Sequence, residues 1–209
     1  MNDNKLETVR LLDKQKAPYH KIKLLTDEER AGLKPSFVRN RSELDALEAS
    51  NILDAEIWLL RKSFSADQVL TTDFLRRLHR EMFGKVWKSA GRFRELEIND
   101  SVKGVWVPVE VQKLTDDMRR MVREETHPPL EIAVRFMRRL VAIQCFETGN
   151  GRHSRLAADL LGRALTGARP FTWGRNADLS PEELRKAYRE ALRKADAGDV
   201  KALLAFSLS

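Results

Sequence analysis

The chain has 209 residues, 42% of them hydrophobic and 33% charged, with 38 lysines and arginines against 31 acidic residues for a net charge of +7. That balance excludes a disordered chain, and no apolar run reaches the ~20 residues of a membrane span. The length suits one domain with a proper core, burying roughly 70% of the surface the unfolded chain exposes. Cys145 is the single cysteine, which rules out an internal disulfide and fits a reducing cytoplasm. The opening stretch Met1 to Lys16 is polar and charged, without the pattern of a secretory signal. The positive charge suits a phosphate-bearing partner. Because the arginines are spread along amphipathic segments, a nucleic-acid partner ranks well below a small phosphate ligand.

Residues 1–40 carry scattered charge, a helix-start signal at Thr26-Asp27-Glu28-Glu29 and a break at Pro35, and read as an N-terminal extension. Residues 41–209 form the domain proper. Apolar positions at Leu44, Leu47, Ile52, Ala55, Leu59 and Leu60 predict a helix from Ser42, the expected N-cap, to Lys62. A second helix opens at Thr72 and ends at Gly84, with Phe74, Leu75, Leu78, Met82 and Phe83 on its apolar side.

The stretch Gly91 to Pro108 changes character. Phe93, Ile98, Val102, Val105, Trp106 and Val107 favour strand, and Asn99-Asp100-Ser101 and Lys103-Gly104 supply turns, so a short hairpin or extended flap is expected. Helices resume over Val109–Glu125, stop at His127-Pro128-Pro129, and run again from Leu130 to Cys145 and from Arg152 to Leu165, where Gly167 and Pro170 end them. The last helical stretch starts at Ser180-Pro181-Glu182-Glu183, an N-cap followed by proline at the first helical position and acids at the positive end of the dipole. The fold expected is all-α, a helical bundle with one small β element.

Between two apolar helices lies Gln144-Cys145-Phe146-Glu147-Thr148-Gly149-Asn150-Gly151-Arg152-His153-Ser154-Arg155. Glycines flanking an asparagine let the chain pass through positive φ. A loop that feeds a helix start aims free N–H groups at one spot, where the dipole favours an anion. Arg152 and Arg155, three apart, place two guanidinium forks beside it, as a di- or triphosphate requires. The other reading, in which the glycines serve only as cap and turn, stands beside this one.

The stretch resembles the signature of the Fic (Fic/Doc, or Fido) family, His-x-Phe-x-(Asp/Glu)-Gly-Asn-Gly-Arg-x-x-Arg, at Phe146, Gly149, Asn150, Gly151, Arg152 and Arg155. The likeness continues through Leu78 to Phe83, through Trp87-Lys88 and Ala90 to Arg94, through Val107-Pro108, and from Ala187-Tyr188 to Gly198-Asp199. It is similar in particular to the bacterial subgroup called mobile mystery protein B, through the Pro170 to Gly174 stretch. The resemblance implies an all-α core with a β-hairpin flap, here carrying Trp106 and Val107, that docks a protein target. It also implies transfer of AMP from ATP and Mg²⁺ onto a target hydroxyl. The motif histidine acts as base, the motif acid holds the metal, and Gly149 to Arg152 with Arg155 hold the phosphates. A homodimer or an antitoxin-like partner is an open alternative.

Two positions depart from the signature. Gln144 stands where the histidine belongs, and a carboxamide cannot accept a proton at neutral pH. Thr148 replaces the metal-binding acid. Among substitutes, Glu147 is displaced by one position, His153 is expected to point away from the phosphates, His79 reads as a packed structural histidine, and Cys145 as buried and inert. The family's inhibitory-helix pattern, (Ser/Thr)-x-x-x-Glu-(Gly/Asn), is met here only by Glu48, with Arg155 as its expected partner; the alternative is a surface glutamate. The sequence therefore supports either an impaired adenylyltransferase or an inactive Fic-fold regulator.

Overall fold

The computed structural model describes residues 23–97, 101–168 and 171–209. The features read at Met1 to Lys16, at Ile98, Asn99 and Asp100, and at Pro170 lie outside the described residues. Among the described residues the helices are α1 (Asp27–Gly32), α2 (Arg41–Leu60), α3 (Ala66–Val69), α4 (Thr72–Phe83), α5 (Val107–Arg123), α6 (Pro129–Ile143), α7 (Asn150–Thr166), α8 (Pro181–Asp196) and α9 (Val200–Leu208). No strand ladder occurs among them; β-type pairing is confined to two isolated bridges, Leu24 with Asn40 and Leu33 with Trp87.

The helix starts follow local chemistry. Thr26 and Glu29 form a reciprocal capping box on α1, Thr71 caps α4, and Ser180 with Glu183 caps α8 over Pro181. The N-cap of α2 is Asn40 rather than Ser42, because Asn40 Oδ1 accepts the Glu43 amide at 3.0 Å and begins the helix two residues early. The short α3 went unread in the sequence, although Ser65 and Gln68 carry its capping box. The final helical stretch divides into α8 and α9 where Gly198 adopts φ 100°.

The expected hairpin is not formed by the described part of residues 91–108. Residues 104–106 make a single 3₁₀ turn, and α5 begins at Val107 with Pro108 in its first turn, where a missing N–H costs nothing. Instead of pairing across a ladder, the carbonyls of Leu96 and Val102 accept from the buried Arg94 guanidinium. Gly104 sits so close to Glu95 that a Cβ would lie 2.0 Å from its carbonyl oxygen. A side chain and a close backbone approach thus do the work that cross-strand hydrogen bonds would do.

At the centre lies α7, buried without interruption from Leu156 to Gly162. Apart from Asp159 this buried run is apolar or glycine, and α7 meets two cores. Leu156, Ala157, Leu160 and Leu161 join Phe136 and Leu140 of α6, Leu75, Leu78 and Met82 of α4, and Leu114 and Met118 of α5; Leu25, Leu33 and Val38 belong to this same cluster. On its other side Ala158 meets Trp173, Ala191, Ala195 and Leu203, the core beneath α8 and α9. Trp173 is held at φ 55° with its indole N–H donated to Asp159 at 3.2 Å.

The buried Asn51 joins α2 to the end of α4, donating to Glu81 O at 2.9 Å and accepting from the Lys85 amide at 2.9 Å. Both partners are end-of-helix groups that have no other claimant in the helix ladder. Asn51→Ala is expected to lower unfolding free energy by ~2–4 kcal/mol, read by urea denaturation, because two polar groups lose their partner. A loss below ~0.5 kcal/mol would show that water replaces the amide without cost.

Candidate functional site

The site begins where α6 stops. Gln144 turns into the left-handed region at φ 51° and ψ 65°, a conformation most residues resist. Arg94, 1% exposed, holds the reversal: its side chain donates to Gln144 O at 2.6 Å and Ile143 O at 3.1 Å, and its amide donates to Cys145 O at 3.0 Å. The remaining donors go to Leu96 O at 2.7 Å, Ser101 Oγ at 2.9 Å and Val102 O. The guanidinium thus makes five hydrogen bonds, four to carbonyls and one to a hydroxyl, at the negative end of a helix, a setting that stabilises buried positive charge.

Aromatic packing supports the loop from beneath. Phe146 is buried and stacks on His79 with ring centroids 3.8 Å apart, and meets His153 edge-on at 5.0 Å. The His79 tautomer follows from its neighbours: Nδ1 accepts the Gly91 amide at 3.0 Å, so Nε2 carries the proton and donates to Thr148 O at 3.0 Å. His153 Nε2 donates to Leu75 O at 3.0 Å. Burial drives His79 down to about 3 and His153 to about 4, so both are neutral. Burial also pushes the Cys145 thiol up to about 12. As read from the sequence, these three are buried structural groups.

Asn150 closes the loop on itself: its Oδ1 accepts the Phe146 amide at 2.9 Å and its Nδ2 donates to Phe146 O at 2.7 Å. The Asn150 side chain therefore shapes the loop through two of its hydrogen-bonding sites and keeps a second amide N–H. Gly149 is required twice over, by φ 75° and because a Cβ would lie 2.5 Å from Phe83 Cζ. Gly151 differs from the expectation that both glycines relieve positive φ. It is helical, and a Cβ there would meet only Arg155 Nη1 at 4.0 Å. Its surroundings are open space.

That space lies at an uncapped helix start. Helices α1 to α4, α8 and α9 each carry a side-chain cap, whereas α5, α6 and α7 carry none; of these three only α7, after Gly149, has no acid in its first turn. The first N–H groups of α7 are left for an external acceptor. Arg152 lies over the Phe83 ring at 5.0 Å and donates to Glu48 Oε2 at 2.7 Å. Glu48 is no surface glutamate and does not pair with Arg155: it is 3% exposed, and its other oxygen accepts the Trp87 indole N–H at 2.6 Å. The inward face of α2, with Leu44, Asn51 and Ala55, carries Glu48 to this position. The Arg155 guanidinium, whose Nη1 lies beside Gly151, sits over the Tyr188 ring at 5.3 Å and lines a cavity of about 220 Å³ shared with Trp173, Arg175, Arg185 and Phe206.

The expected metal position does not fit a divalent ion. The Thr148 carbonyl is taken by His79, Glu147 is exposed, and among the described residues no group of three or more His, Cys, Asp or Glu side chains gathers to hold a metal. Within the expected docking flap, Val107 is fully buried in the core, while Trp106 is 56% exposed beside exposed Val105 and Val109. Sequence reasoning missed the roles of Arg94, Phe83 and Trp87. Nothing local set Arg94 apart, since Arg92, Glu95, Glu97 and Lys103 lie in the same stretch.

The sequence model of the Fic/DOC family matches residues 69–161. Solved structures share the fold. Fic-1 from C. elegans is similar with a TM-score of 0.60 and 24% identity over 76% of this chain, which spans only 46% of that one. BepC from Bartonella tribocorum with bound AMPPNP gives 0.63 and 15% over 90% of this chain and 92% of that one. The N-terminal Fic domain of a Bep effector from Bartonella quintana with bound ADP gives 0.63 and 16%, covering 90% and 91%. The helical core matches this Fic fold, and no described helix is long and apolar enough to cross a membrane.

Gly149→Ala is expected to cost ~2–3 kcal/mol in denaturant unfolding, combining a left-handed alanine with the Phe83 clash. Gly151→Ala, at a helical φ in open space, is expected to be neutral or stabilising by up to ~1 kcal/mol. Equal losses at both positions would contradict this geometry.

Stability is also expected to depend on pH through the two buried imidazoles. Their folded values lie below the ordinary 6.5, so stability is complete above that value and is lost as pH falls toward 4 and 3. Each group contributes a slope of ~1.4 kcal/mol per pH unit in that window. Chemical denaturation at about pH 6 and about pH 5 reads the slope; a flat profile would show that the imidazoles charge without unfolding.

Proposed function

We propose that this chain binds a nucleotide by its phosphates at the start of α7, and that its capacity to transfer AMP to protein hydroxyls is impaired. The observation carrying the reading is the uncapped first turn of α7 facing open space at Gly151, flanked by Arg152 and Arg155. Free N–H groups, the helix dipole and two guanidinium groups form a donor set suited to a polyphosphate. The cavity beside Arg155, with Tyr188, Trp173 and Phe206, offers aromatic surface for a nucleoside end. The AMPPNP and ADP held by the two Bartonella proteins support a nucleotide here.

The impairment follows from proton bookkeeping at the loop. Attack of a target hydroxyl on the α-phosphorus, with pyrophosphate leaving, requires an acceptor for the hydroxyl proton. Gln144 occupies the motif-histidine position and is no base; His79, His153 and Cys145 are buried and committed elsewhere. Loss of a general base typically costs on the order of 10²–10⁴-fold in rate. Since the donors at Thr148 do not suit Mg²⁺, no step is assigned to a metal. Exposed Trp106 with Val105 and Val109 is the proposed contact for a protein target. The subgroup resemblance to mobile mystery protein B fits the same reading.

A second reading, an inactive Fic-fold regulator or partner-binding protein, is favoured by one contact. Glu48 neutralises Arg152 and holds it against Phe83, so an incoming phosphate competes with a buried carboxylate for that guanidinium. Incubation with ATP labelled on the α- or γ-phosphate, Mg²⁺ and cell lysate separates the two, beside the Gln144→His, Thr148→Glu double variant. The impaired-enzyme reading predicts faint α-label on protein from the native chain, increased at least about 100-fold in the variant. Label only in the variant would support the regulator reading. Label from neither would overturn the proposed reaction class.

A further inference from the structure

Helix α2 has two apolar faces, and the site uses one. Leu44, Glu48, Asn51, Ala55 and Leu59 point inward. On the far side Leu53, Ile57 and Leu60 are 57%, 40% and 61% exposed, in line with exposed Ala46 and Ala49. At 3.6 residues per turn these five positions share roughly 80° of arc and run along four turns of helix. Scattered exposed apolar residues are ordinary, but a continuous stripe of this kind marks a surface that is covered.

We infer that this stripe packs against the same stripe of a second copy of the chain, antiparallel about a two-fold axis at Leu53. In that register Leu53 meets Leu53 of the second copy, Ile57 faces Ala49 of the second copy, and Leu60 faces Ala46 of the second copy. Each large side chain meets a small one, as interdigitating helices require. Glu43 and Arg61 lie on one flank of the stripe at opposite ends, so each Arg61 comes beside Glu43 of the other copy, twice by symmetry. A parallel pairing would instead set Leu60 against Leu60, with Ala46 facing Ala46 across a gap, and would carry Glu43 and Arg61 of the two copies to opposite sides of the seam. Asp54, on the same flank near the axis, is held by Lys85 at 2.6 Å, so its charge is balanced where the copies approach.

Sedimentation equilibrium of the full-length protein tests the pairing. The native chain is expected to dimerise reversibly, and Leu53→Glu, a change at an exposed position, to be monomeric with an unchanged circular dichroism spectrum. Ala49→Leu is expected to weaken the dimer although it adds apolar surface, because it fills the space for Ile57. Glu43→Lys and Arg61→Glu are each expected to weaken it about tenfold, and the double exchange to restore it. A short bismaleimide is expected to join two Leu53→Cys chains, with the native Cys145 buried and unreactive, but not two Leu96→Cys chains. A native chain monomeric at its highest soluble concentration would overturn the proposal and give the stripe to another occupant. A dimer that survives Leu53→Glu would overturn it equally.

Discussion

The architecture of the site depends on one buried cation. The Arg94 guanidinium meets the carbonyls that α6 leaves unpaired at its end, together with the backbone of the segment that follows Arg94 itself. Helix C-termini generally resolve this problem with a glycine or with water. Here the end is buried and the residue that reverses the chain is a glutamine, so a side chain must supply the donors. That requirement ties Leu96, Ser101 and Val102 to residues 143–145, and in the described part of the stretch before α5 the Leu96 and Val102 carbonyls are engaged by Arg94 rather than across a ladder.

From that anchor the loop divides into two sides with opposite chemistry. Beneath it, every polar group is matched within the protein. His79 fixes Thr148, Asn150 fixes Phe146, and both histidines are neutral in an aromatic stack. Above it, the helix start is uncapped and Gly151 faces open space. The rigid underside holds the open side in shape without a ligand, which is the preorganisation an anion site requires. The motif residues thus serve different ends: Gly149 and Asn150 build the loop, Gly151 leaves space at the helix start, and Arg152 and Arg155 are assigned to the phosphates only by the proposed function.

Much of this was legible in the sequence. Apolar periodicity and capping residues placed most of the helices, because those signals are local. The Gly149-to-Arg155 motif placed the loop for the same reason. Reading Cys145, His79 and His153 as structural succeeded because an apolar helix context predicts burial. Distance in sequence defeated other readings. Glu48 and Arg152 are 104 residues apart, and nothing in the amphipathic pattern of α2 says that its glutamate faces inward to meet Trp87 and Arg152. The β-favouring residues near Val105 were misleading because propensity records fit to a pleated surface and yields to tertiary context, here Arg94 and the close approach of Gly104.

The central claim is that the phosphate cradle is intact while the groups that would run the reaction are absent. Calorimetric titration of ATP into the native protein and into Gly151→Val tests its first half most directly, because that substitution fills the open space while leaving the buried side of the loop untouched. The account predicts measurable binding by the native protein and at least about a tenfold loss in the variant at unchanged fold. No binding by the native protein at millimolar ATP, or equal binding by both, would contradict it.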